Sequence, residues 1–308
     1  MKFTLARGAR CAGYAGSIVV AVLSVASCGA DREDAKMTQV KGVTTLTVET
    51  ARPVARAAQI LTDAFGDLIT YEDPRYAYAG DLEDYTDRVR KDLDRFPKGT
   101  APRVIGPRSG LLKVKTSSKK LDEILAEVIE AQSSRGSGGR FRVERAGEVF
   151  HVIPTHSRDR NGNWVAQPSV LDVRISIPEG EWPAYELVDE IRRATASAAR
   201  VTMTMGTNDL RPSLMSETAT GEVMEPRKYQ FEATNEPARS VLMRALTTIS
   251  VDRGRMTWML YFGNEATENT YVLNFVPMKE APPFIRPAVE PISHPSDVSD
   301  ASVVPNAR

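Results

Sequence analysis

Four stretches of the chain space apolar residues at i, i+3, i+4 and i+7, the period that lines one face of a helix. The first holds Val54, Ala57, Ala58, Leu61 and Phe65, and the second Leu121, Ile124, Leu125, Val128 and Ile129. The third holds Ala184, Leu187, Val188, Ile191 and Ala198, and the fourth Ala238, Val241, Leu242, Ala245, Leu246 and Ile249. Pro53, Ser117 or Ser118, Pro183 and Pro237 sit where a helix cap or first-turn proline belongs. Short runs bracket each helix and mostly alternate apolar and polar residues, the period of a sheet with one buried face. They are "TTLTVET" and "DLITYE", "LLKVKT" and "GRFRVER", "LDVRISI" and "RVTMTM", and "RKYQFEAT" and "RMTWMLYF". The second and fourth units each add one more strand, "VFHVIPT" and "YVLNFVP".

The order is therefore strand-helix-strand followed by strand-helix-strand-strand, and the whole set occurs twice. This predicts an α+β or α/β fold of two tandem small domains, with helices packed on small mixed sheets. The first module spans 43–155 and the second 169–278, joined by a polar linker at 156–168. Residues 279–308 carry six prolines and no periodicity, the signature of a disordered tail.

Each half resembles the secretin and TonB short N-terminal domain, a small α/β module. That module begins with a strand and a helix of the "ALxxLAxxxG" type, followed by a strand of the "xxIxYD" type. "VARAAQILTDAFGDLITYED" is similar to it through Ala57, Leu61, Gly66, Ile69 and Tyr71. "LDEILAEVIEAQ" with "GRFRVERAGEVFHVIP", and "ARSVLMRALTTI" with the strands after it, follow the module's second helix and hairpin. The resemblance implies a partner-contacting module that catalyses nothing. No secretin pore or receptor barrel follows, and the insertion around "YTDRVRKDLDRFPKGTAPRVIGPRSG" is longer than the family usually carries.

The N-terminus changes the picture by adding an address. Lys2, Arg7 and Arg10 precede an apolar run too short for the roughly 20 residues of a membrane span, the form of a secretory signal over residues 1–27. "VASC" (Val25 to Cys28) resembles a bacterial lipobox, which implies lipid attachment at Cys28, and residues 28–42 read as a tether. Gly29 after the cysteine leans to the periplasmic side of the outer membrane; cleavage near Ser27 or Ala30, giving a soluble periplasmic or secreted protein, is the alternative. Besides Cys28 only Cys11 exists, inside the signal, so the mature chain has no pair for a disulfide or thiolate metal site. The 40 basic and 40 acidic residues form no basic stripe interleaved with aromatics, which argues against nucleic acid. The lipid is the only membrane contact these features predict.

Candidate chemistry is sparse. Ser117 to Lys120 reads S-x-x-K, but the companion elements of penicillin-binding enzymes are absent, and a capping hydroxyl explains the serines. "RGSGGR" (Arg135 to Arg140) follows a helix, where glycines end it rather than cradle phosphate. His151, His156 and His294 lack metal-ligand spacing, and His151 is expected to face solvent or a sheet edge. No metal and no cofactor is predicted.

The run "LITYEDPRYAYAGD" (Leu68 to Asp81) is the exception. Its first part has a counterpart in the second half and belongs to the fold. The remainder does not, and Asp73, Arg75, Tyr76, Tyr78 and Asp81 are the candidate interaction surface, since tyrosines favour contacts. The expected function is a non-enzymatic envelope lipoprotein that binds an envelope protein partner or scaffolds one. One alternative is an envelope-polymer hydrolase, or a carbohydrate-binding protein, using the strip from Tyr71 to Asp81 with Glu72 and Asp73 as its acids. A small-molecule carrier with an apolar pocket between helix and sheet is another.

Overall fold

The computed structural model describes residues 35–40, 42–90, 96–97, 100–101, 103–206, 227–263 and 269–278. Cys28, the tail at 279–308 and His294 lie outside them. The fold is α+β. In the first half, strands β1 (Ala35–Val40) and β2 (Val43–Thr50) lead to helix α1 (Pro53–Phe65) and strand β3 (Leu68–Glu72). The insertion then forms β4 (Leu82–Asp84), a single helical turn α2 (Thr86–Val89) and β5 (Ile105–Pro107). It is followed by β6 (Gly110–Thr116), α3 (Leu121–Ser134), β7 (Arg140–Ala146) and β8 (Val149–Arg158). After β9 (Trp164–Ala166), the second half runs β10 (Arg174–Pro183), α4 (Ala184–Ala199), β11 (Thr202–Met205), β12 (Lys228–Pro237), α5 (Ala238–Arg253), β13 (Met256–Phe262) and β14 (Thr270–Pro277).

All four expected helices form where the apolar period placed them. Pro53 opens α1 from inside its first turn, where its missing N–H costs nothing, and Gly66 closes it in the left-handed conformation at φ 74°. Pro183 and Pro237 stand at the N-cap positions of α4 and α5. At α3 the N-cap residue is Lys120, not a serine. Ser118 acts one step earlier: its hydroxyl accepts the Lys120 N–H at 3.1 Å and donates to Glu123 at 2.6 Å.

Two expectations on irregular segments are corrected. Part of the tether, Ala35–Val40, is a strand paired antiparallel with β2, because Ala35 and Met37 alternate inward against the first core. The polar linker is a hairpin: β8 continues to Arg158 and β9 pairs back onto it, with Gly162 turning at φ 88°.

Sheet pairing joins the halves. The central sheet has the order β11-β14-β13-β3-β8-β7, with β9 beside β8. Its middle joint, β13 parallel to β3, brings Met259 opposite Tyr71 and Leu260 opposite Glu72. Side chains alternate across a strand, so each face of this sheet carries one core. Ile69, Tyr71, Phe150, Val152 and Met259 pack with α1 and α3, and Trp258, Leu260, Tyr271, Leu273 and Phe275 with α4 and α5. The helices of each half are covered on their far side by a second sheet, β1-β2-β6 over α1 and α3, β10-β12 over α4 and α5. Five layers result, and β13, "MTWMLYF", lies in the middle of them with Met256 through Leu260 buried. A strand buried on both faces needs such a nearly continuous apolar run, and its one polar residue, Thr257, donates its hydroxyl to the Ile69 carbonyl. At one end of the sheet, β7 leaves Arg140, Arg142, Glu144 and Arg145 exposed.

Candidate functional site

The Leu68–Asp81 run lies at the joint between the halves. Glu72 and Asp73 are consecutive, so they point to opposite faces, and both side chains are fully buried. On one face, Glu72 reaches the start of the second half. It accepts the Ser169 hydroxyl at 2.5 Å and the Val170 N–H at 2.7 Å. Arg239, at the start of α5, lies 3.5 Å from Glu72, 2.6 Å from the Ser169 hydroxyl and 2.8 Å from Asp172. Burial raises the pKa of Glu72, and Arg239, the Ser169 hydroxyl and the Val170 N–H oppose that rise.

On the other face, Asp73 receives Arg52 Nε at 2.6 Å, the Tyr71 hydroxyl at 2.7 Å and the Phe262 N–H at 2.9 Å. The Tyr76 hydroxyl stands 3.4 Å away. Arg52 also donates to the Phe262 carbonyl at 2.9 Å and sits over the Tyr261 ring, 4.7 Å from its centre. Burial works against the Arg52 charge, yet Asp73, with Tyr76 and Tyr261 beside it, outweighs that cost and holds the guanidinium above its ordinary pKa. Burial, reinforced by Asp73, pushes the Tyr71 and Tyr76 hydroxyls well above theirs. The free space beside Arg52, Tyr71, Tyr76 and Asp81 is about 20 Å³, enough for one water and no substrate.

The contact-surface expectation is therefore corrected at three of its five residues. Asp73, Tyr76 and Asp81 are buried, and each of these three finds a polar partner inside the protein. Asp81 accepts from Arg158 at 2.7 Å; burial raises its pKa and Arg158 opposes the rise. Arg75 is exposed and Tyr78 half-buried. The two carboxylates proposed for hydrolysis are separated by the strand and closed to solvent, so that reading has no cleft to work in.

Arg75 borders an open cleft of about 180 Å³, lined also by Ala77, Arg158, Asp159, Val165 and Gln167. It forms where the chain after β3 peels away from β8 and β9 takes its place. Gln167 accepts the Arg75 N–H at 2.8 Å, while its own Nε2 is buried with no partner, as is Nε of Arg158. The Arg158 guanidinium stacks over Tyr78 at 4.8 Å and Trp164 at 5.4 Å, and Arg140 covers Trp164 at 4.7 Å. A cleft this size receives a side chain or chain end rather than a whole metabolite.

His151 is corrected as well: it is buried rather than facing solvent. Its Nδ1 lies 2.7 Å from the Thr70 hydroxyl, and its ring stacks at 6.4 Å on Trp258 across the joint. Burial, aided by Arg239, lowers its pKa to about 4, so it is neutral at pH 7. Arg52, Ser169 and Arg239, the partners of the two acids, carry no local motif that marks them. Comparison with family models, curated proteins and solved structures finds no match to this chain.

Proposed function

We propose that the chain is a non-enzymatic cell-envelope lipoprotein, lipidated at Cys28 on the periplasmic side of the outer membrane, that binds or scaffolds an envelope protein. The doubled order of elements supports this reading, since it is the order of the partner-contacting module that each half resembles. The observation that carries it is the division of the Leu68–Asp81 run. Glu72 and Asp73 are spent on joining the halves, whereas Arg75 remains at the cleft with exposed Val165, and half-buried Tyr78 lies under the Arg158 guanidinium that lines it. Guanidinium and aliphatic groups line the pocket, and the Tyr78 and Trp164 rings stack on one of its arginines, a composition that suits a protein-contact centre.

The test is a photo-crosslinking residue at Ala77 or Val165 in the full chain, expressed in cells. One discrete adduct is expected from these positions, lost on Arg75→Glu and absent from a probe at Glu232 on the far sheet. Equal adducts at Glu232, or none at either cleft position, would sink the proposal.

A further inference from the structure

The outermost layers of the molecule differ in a way that points to a second contact. Residues alternating outward from β1-β2-β6 are Lys36, Thr38 and Val40, then Val43, Thr45, Thr47 and Glu49, then Leu111, Lys113 and Lys115. Register sets Lys36, Thr47 and Lys113 in one row, with Thr38, Thr45 and Lys115 in the next. Three lysines therefore share one face with a single acid, Glu49. Val40, Val43 and Leu111 on this face are 65%, 41% and 53% exposed, and they are three of the five large hydrophobics exposed among the described residues. On the opposite outer layer, β10-β12, the exposed charges are Arg174, Glu179, Glu181, Lys228 and Glu232, and no large hydrophobic is exposed there. One outer layer is basic with aliphatic points and the other is slightly acidic, in a chain whose formal net charge is +0.

From this asymmetry we infer that the outer face of β1-β2-β6 docks on anionic phospholipid headgroups, and so orients the protein on its membrane. The inference rests on the lipid-anchor reading for its biological setting. The first described residue, Ala35, follows Cys28 by seven positions, a contour of at most about 25 Å. The face that starts at Ala35 is thus within reach of the bilayer to which the anchor would tie it. The connecting segment contains Asp31, Glu33 and Asp34 beside Arg32, so the attraction comes from the sheet. Lysine ammonium groups meet lipid phosphates there, and Val40, Val43 and Leu111 meet the headgroup boundary.

The experiment uses the chain from residue 28 onward with Cys28→Ser, which carries no lipid and retains every described element. It is co-sedimented with vesicles of phosphatidylethanolamine and phosphatidylglycerol at three to one, or of phosphatidylcholine alone. Each lysine near an anionic surface adds roughly fivefold to partitioning, so K36Q/K113Q/K115Q should weaken binding to the anionic vesicles on the order of a hundredfold. K228Q on the far sheet should change nothing, and circular dichroism should show every variant folded. Absence of binding to anionic vesicles, equal binding to neutral ones, or a folded triple variant that binds like the parent overturns the inference. Palmitate labelling of Cys28 in cells reports the anchor separately, so either reading can fail alone.

Discussion

Glu72 and Asp73, neighbours in the chain, fasten the two halves from opposite faces of one strand, through the Val170 N–H on one side and the Phe262 N–H on the other. Neither joint is interchangeable with the other. Asp73 faces a guanidinium with a single close carboxylate, whereas Arg239 keeps Asp172 at 2.8 Å if Glu72 is neutralised. Breaking a buried pair by removing one charge costs about 3 kcal/mol or more. Asp73→Asn should therefore destabilise the protein by about 3 kcal/mol, and Glu72→Gln by clearly less, because burial already favours the protonated Glu72. Urea unfolding of both variants at pH 7 measures the order, and the reverse order would refute it.

His151 gives a pH dependence of known sign. Its pKa of about 4 in the fold lies below the ordinary value of 6.5, so the unfolded chain binds more protons between these limits. The stability it allows is complete above about pH 6.5 and is lost as pH falls toward 4. The full loss corresponds to about 3 kcal/mol. His151→Phe keeps a ring against Trp258 and should flatten stability between about pH 6.5 and about pH 4.5 relative to the parent, read by urea midpoints at several pH values. Parallel pH profiles would show that His151 is not the group responsible.

Much of this architecture is legible in the residues, and the missed parts have specific causes. Helices and strands follow from period and caps, which are local. The β13–β3 joint is not local: Asp73 and the Phe262 N–H that it accepts stand 189 residues apart. One signal in the chain does point to it. "MTWMLYF" breaks the alternation of its neighbours with Thr257 as its one small polar residue, and a nearly continuous apolar run marks a strand covered on both faces. A second lies in the acidic pair, since consecutive strand residues cannot share one site. The two-residue period of a strand alone sends Glu72 and Asp73 to opposite faces, which rules out a shared acid–base centre. Arg52 and Arg239 carry no such signal, being single arginines beside helix-opening prolines.

The turn after α3 should be selective in what it tolerates. Gly139 has φ 88°, and an added Cβ would lie 2.6 Å from two ring carbons of Pro74. Gly147 has φ 62° with open space around it. Gly147→Ala should cost about 1 kcal/mol, the strain of the left-handed backbone alone. Gly139→Ala should cost at least twice as much, because Pro74 cannot yield without moving Asp73. Thermal melts of the two variants compare them directly, and equal losses would remove Pro74 from the account.

For the anchor, Cys28→Ser in the full chain should move the protein from the membrane fraction to the soluble fraction at high salt, where the lysine face is screened. At low salt some should remain bound. Retention at high salt with no lipid on residue 28 would refute lipid anchoring at this cysteine.

The end strand β7 and the middle strand β13 occupy equivalent places in their halves, each antiparallel to the strand that follows it. One is apolar but for buried Thr257 and accepts β3 as a neighbour; the other carries Arg140, Arg142, Glu144 and Arg145 to solvent. Charged side chains on an edge discourage further pairing. A repeat that could add a third unit by the same joint instead meets a strand that refuses one. The charged edge of β7 is thus the full stop at its own end of the sheet.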